Sequence, residues 1–148
     1  MIDQKNKKRL NLAQIDCNTH KYILNGDPTF ITTTKDGIGK IHDRTKRNKL
    51  IDTITVRSQH DDRPLSRGPL KLSLFLYFNL PSRPGTKKGN VISGDYQILS
   101  PDIAGCIKYI EEISKGILFN ETSNISVVEA YKLYDDNPRA EFYIVELT

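Results

Sequence analysis

The chain has no tryptophan, a single methionine, two cysteines and three histidines among its 148 residues. Cys17 and Cys106 lie far apart and form no metal-type pair, and the scattered His20, His42 and His60 offer no zinc spacing. Neither a disulfide nor a zinc site is expected, and a reducing, intracellular setting is the default. Long apolar runs are also lacking. The longest, around Leu72 to Leu80, is far short of a membrane span. The first residues are polar and of mixed charge, which predicts no secretory leader. With 37% hydrophobic and 27% charged residues, the composition suits one globular domain with a single core.

Charge is present but unevenly spread. Residues 1–60 carry 12 Lys/Arg against 6 Asp/Glu, residues 61–100 carry 6 against 3, and residues 101–148 carry 4 against 9. A basic first two-thirds and an acidic last third fit a protein that holds a polyanion beside clustered carboxylates. Ordinary surface charge is the competing reading.

The hydropathy pattern divides the chain into a polar lead-in over 1–20, with a short helix over Lys8–Cys17, and a domain over 21–148. A bend is expected at Asn25-Gly26-Asp27-Pro28, and a hairpin around Lys35-Asp36-Gly37. Asp43 can cap a helix running to about His60, with Leu50, Ile51 and Ile54 on one face. Leu70 to Leu80 alternates leucines against Lys71, Ser73, Phe75 and Tyr77, a strand with one strongly apolar face. Pro81 to Leu99 reads as a long loop.

A helix follows, with Ser100 as N-cap, Pro101 at its first position, and Ile103, Cys106, Ile107, Ile110 and Ile113 at helical spacing. The pairs Lys108–Glu112 and Glu111–Lys115 are spaced to support it, and Gly116 is placed to end it in the left-handed conformation. Two closing strands, Ser126–Tyr134 and Ala140–Leu147, flank Asp135-Asp136-Asn137-Pro138 and imply an antiparallel hairpin. Tyr131, Tyr134 and Tyr143 resemble a stacking platform for bases but suit a core or interface better. Phe75 and Tyr77 suit a dimer interface and packing under a helix equally well.

Asp102 at the helix start and Glu121 just past its end are candidate oxygen ligands for a hard cation, provided that the following strand brings them together. Lys108 is a candidate phosphate contact. The bland readings are a carboxylate favoured by the helix dipole, a turn residue and a solvated lysine. Lys40, Arg44, Lys46, Arg47 and Lys49, together with Arg83, Lys87 and Lys88 on the long loop, are candidates for phosphate contacts along DNA.

The run Ser100-Pro101-Asp102-Ile103-Ala104-Gly105-Cys106-Ile107-Lys108, followed by Gly116-Ile117-Leu118-Phe119-Asn120-Glu121-Thr122-Ser123-Asn124-Ile125, resembles the core signature of the RusA family of Holliday-junction resolvases. Gly-Pro-Leu-Lys-Leu at 68–72 and the Lys132…Pro138…Glu141 pattern also resemble that family. The resemblance implies a single-domain α+β fold, a mixed sheet with flanking helices, assembled as a homodimer. It implies a Mg²⁺-dependent endodeoxyribonuclease acting on four-way or branched DNA in recombination and repair, phage- or virus-encoded, with no membrane partner. By position it assigns Asp102 and Glu121 to metal and catalysis and Lys108 to catalysis.

The chain departs from the family pattern where the metal would sit. Ala104 and Thr122 stand where Asp is expected, and Gly105 where Asn is expected. Three explanations stay open: a pseudoenzyme that keeps DNA binding, an enzyme with Glu121 filling in, and an introduced Asp→Ala change at 104. A different class, a non-catalytic structural or interaction subunit reusing the dimer, is the alternative.

Overall fold

The computed structural model describes residues 18–28, 40–60, 67–81, 91–99 and 101–147, with side chains in the first helix from residue 48 onward. The expected helix at Lys8–Cys17 and the hairpin around Lys35-Asp36-Gly37 lie outside the described residues.

The elements in chain order are β1 (Thr19–Asn25), α1 (Lys40–Gln59), β2 (Leu70–Asn79), α2 (Ile103–Ser114), β3 (Ile125–Asp135) and β4 (Arg139–Glu146). The strands form one mixed sheet in the order β1-β4-β2-β3, an α+β domain with two helices. β2 is antiparallel to β4 and parallel to β3, and β1 is antiparallel to β4.

β2 takes the interior because its leucine row has the most apolar surface to remove from water. Leu70, Leu72, Leu74 and Leu76 are all fully buried, and both edges of the strand are paired. This position overturns the expected hairpin. β3 and β4 do not pair with each other; they flank β2, and residues 136–138 cross its end. Three extended residues reach about 10 Å, the width of two strand spacings. Arg139 fastens that crossing through Asp135 at 2.5 Å and the Asn137 carbonyl at 2.7 Å.

The helices cover the leucine face. Val56 of α1 and Cys106, Tyr109, Ile110 and Ile113 of α2 share one core with the β2 leucines, Tyr22, Leu24, Phe142 and Ile144. Burial pushes the Cys106 thiol up to about 11, so it stays a neutral core residue. The helices lock together through Lys49–Glu112 and through Tyr109, whose hydroxyl donates to Asp52.

Four sequence expectations change here. α1 begins at Lys40, not after Asp43. Its residues Leu50, Ile51 and Ile54 are 62%, 54% and 58% exposed, because residues 49, 52, 53 and 56 occupy the inner face instead. At α2, Asp102 rather than Ser100 is the N-cap, and Pro101 is buried before it. The helical ion pairs also re-partner: Glu112 goes to Lys49, and Lys115 goes to Glu121. Gly116 does end α2 with φ +83°, a conformation only glycine adopts at little cost.

Candidate functional site

The approach to Asp102 is built by a strap that a propensity reading takes for loop. Residues 91–97 run along the outer edge of β3. Gly94 N–H donates to the Tyr134 carbonyl at 2.8 Å, Tyr134 N–H to Asp95 at 2.9 Å, and Gln97 N–H to Lys132 at 2.9 Å. The Lys132 ammonium then holds the Leu99 carbonyl, three residues before Asp102. Spacing alone does not single out this contact of Lys132. Its one sequence signal is its place in the Lys132…Pro138…Glu141 pattern. The Asp95 carboxylate accepts from Ile92 N–H at 3.1 Å, the turn chemistry that lets the strap double back.

Asp102 is exposed, has extended backbone, and makes no side-chain cap bond to its own helix. Its carboxylate is therefore not spent on capping. Lys108 and Ala104 are also exposed, and they stand four residues apart on one helical face. The position where the family pattern has a carboxylate is thus the natural neighbour of Lys108, and alanine leaves no ligand atom there.

Glu121 lies elsewhere. Its side chain caps the short turn Thr122–Asn124 while Asn124 Oδ1 accepts its N–H at 3.2 Å, and its carboxylate meets Lys115 at 3.5 Å. Asn124 is in turn tied to the Arg67 carbonyl at 3.1 Å, where β2 is about to begin. Asp102 opens α2 and Glu121 follows its far end, and a helix of 12 residues spans about 18 Å. Within one chain the two carboxylates belong to opposite ends of α2. Among the described residues no cluster of three or more Asp, Glu, His or Cys is placed to hold a metal. A hard divalent cation takes about six oxygens, and a single exposed carboxylate does not fit that need.

The basic candidates divide into three groups. Lys40, Arg44, Lys46 and Arg47 fall in the first turns of α1. Lys49 departs from them, since its ammonium is engaged by Glu112 against α2. Arg83, Lys87 and Lys88 lie outside the described residues. Of the tyrosines, Tyr134 is buried in the core, while Tyr131 and Tyr143 share the opposite sheet face with Phe75.

A mixed sheet with both helices on one face, and a strapped helix start that presents Asp102, define a small α+β domain. The family model for endodeoxyribonuclease RusA matches residues 33–145, most of the chain. The chain belongs to the RusA endodeoxyribonuclease family. It is also similar to an uncharacterized protein, YqaN, of Bacillus subtilis (strain 168). The two are 22% identical over 137 residues, which cover 86% of this chain and 96% of that protein. No described helix is long and apolar enough to cross a membrane.

Proposed function

We propose that this protein binds four-way or branched DNA as a homodimer and has weakened or lost nuclease activity. Family membership supports the substrate class, and an intracellular setting and a phage or viral origin are part of the same proposal. The observation that carries the loss of catalysis is the exposed row of α2. Asp102 and Lys108 remain there, but Ala104 and Gly105 supply no oxygen between them, and Glu121 stands at the other end of the helix.

Binding does not need the metal. Phosphate contacts from Lys40, Arg44, Lys46 and Arg47 on α1, with Arg83, Lys87 and Lys88 from the loop, would recognise backbone and branch shape without reading bases. Lys108 joins them as an exposed cation beside Asp102. If cleavage survives, a homodimer could supply Asp102 and Glu121 from different chains, and cleavage would then depend on Mg²⁺ and on dimerisation together.

The test compares a labelled four-way junction with a matched linear duplex in EDTA, Mg²⁺ and Mn²⁺. Selective junction binding in EDTA with no cleavage in either metal is expected. Paired nicks in Mg²⁺ would overturn the catalytic part of the reading, and equal affinity for both DNAs would overturn the substrate. The exposed Leu50, Ile51 and Ile54 favour a second reading, a subunit that contacts protein. That reading predicts weak, shape-indifferent DNA binding and no effect of charge reversal at Lys46 and Arg47.

A further inference from the structure

The strap that leads to Asp102 carries the three most exposed large hydrophobic side chains among the described residues. Ile92, Tyr96 and Ile98 are 67%, 74% and 89% exposed, and Leu99 and Ile103 follow them at the surface. The backbone beneath them is nevertheless fixed. Tyr96 faces Leu133 in an antiparallel bridge, closed on either side by Tyr134 N–H to the Asp95 carbonyl and Gln97 N–H to the Lys132 carbonyl.

Tyr96 and Ile98 are both open to solvent, while Gln97 between them is buried. Side chains two residues apart on extended backbone leave it about 6.6 Å from each other. Successive bases of a nucleic-acid strand are spaced at about 3.4 Å. The gap between the tyrosine and the isoleucine thus matches one base with a contact on each face. The local charge points the same way. Residues 91–103 contain no Lys or Arg, and Asp95 and Asp102 are their only charges. Lys132, the one cation of β3, is engaged with the Leu99 carbonyl. A ridge of this sign repels phosphate, so what it can take from a nucleic acid is the neutral face of a base. A protein partner would use the apolar surface but would have no need of the spacing.

We infer that Tyr96 and Ile98 form a slot for one unstacked nucleobase. The inference rests on the DNA reading above and adds a branch-sensing contact to its phosphate contacts. In a linear duplex both faces of each base are covered, and turning one out is costly. At a branch point or in a single strand a base face is open already. Stacking between an aromatic and an apolar side chain tolerates any sequence, because every base has a π-face. The slot therefore separates branched from linear DNA without reading which base it holds.

The chain has no tryptophan, so Tyr96→Trp places a single indole at the slot. Its emission is followed while the full chain is titrated, in EDTA, with a fixed four-way junction, a linear duplex of matched sequence and single-stranded oligo-dT. Quenching to less than about half by the junction and by oligo-dT, with little change on the duplex, is expected. In parallel, Tyr96→Ala/Ile98→Ser should lower junction affinity ~10-fold or more and duplex affinity less than ~2-fold, while Tyr96→Phe keeps the wild-type preference. Unchanged circular dichroism checks the fold, and if the double variant unfolds, Tyr96→Ala alone keeps the test. A double variant with undiminished junction preference would overturn the slot and spare the DNA reading. Quenching by oligo-dT in a chain without junction preference would support the slot and sink the junction reading. An indole that none of the three DNAs quenches would overturn the slot and turn the strap over to a protein contact.

Discussion

The two sides of α2 differ in what they keep. Inward, Cys106, Tyr109, Ile110 and Ile113 are all buried in one core with the β2 leucines. Outward, the row that begins at Asp102 retains Lys108 but has Ala104 and Gly105 where the family pattern has Asp and Asn. The inner side is fixed by packing, since a changed volume there destabilises the whole domain. The outer side is fixed only by the chemistry it performs, and it can be stripped without harm to the fold. The contrast teaches that family membership here speaks for architecture more strongly than for cleavage.

That contrast is broken most forcefully from the inside. Ile113→Ala removes a fully buried side chain and should cost about 3 kcal/mol, measured by urea denaturation. Asp102→Ala, on the exposed row, should leave the denaturation midpoint within error and junction affinity within a few-fold. A large loss of binding on Asp102→Ala would mean that this carboxylate organises the DNA site rather than standing beside it.

Charge reversal on α1 comes next. Lys46→Glu with Arg47→Glu should weaken junction binding roughly 10–100-fold and flatten the salt dependence by about two phosphate contacts. Lys49→Glu probes another position on the same helix. Because Glu112 already engages Lys49, its reversal should destabilise the α1–α2 contact and leave the salt slope nearly unchanged. Equal effects at Lys46 and Lys49 on the slope would erase the division between the two.

Restoring the missing ligand sharpens the comparison from the other direction. Ala104→Asp puts a carboxylate two residues after Asp102 and one helical turn from Lys108. Measurable Mn²⁺ binding by calorimetry, absent in the parent, is the expected gain. Metal binding without cleavage would locate a further defect at Thr122.

Much of this architecture is legible in the sequence, and the illegible parts share a cause. The Leu70–Leu76 alternation, the α2 periodicity and the Gly116 stop are local patterns, and each element forms where its pattern says. The β3–β4 relation is not local: a turn signal at 135–138 cannot reveal that a third strand is inserted between its arms. The strap over β3 escapes for the same reason, since its hydrogen bonds depend on an edge supplied from thirty-odd residues away. The outward turn of Leu50, Ile51 and Ile54 reverses the usual reading because Asp52 and Lys49 find partners on α2. At the candidate site, residue identity was readable but separation was not. Asp102 and Glu121 look like partners in a motif, yet one opens α2 and the other follows its far end, next to Lys115.

The smallest effect tests how the two helices are held. Half-burial between α1 and α2 raises the Asp52 carboxyl above its ordinary value, opposed in part by the hydrogen bond from Tyr109. A carboxyl with a raised folded-state value binds its proton more tightly folded than unfolded. Its contribution to stability is therefore most favourable at low pH and declines as pH rises through the ordinary value of 3.8 toward the raised one. Asn at this position keeps an oxygen to accept from Tyr109 and has no charge to desolvate. Asp52→Asn should thus match the wild type in thermal melts near pH 3 and exceed it modestly at pH 7, with the gap opening between. A gap of the opposite sign at neutral pH would show that the Asp52 charge is satisfied in place, and that Tyr109 gains more from a carboxylate than burial takes away.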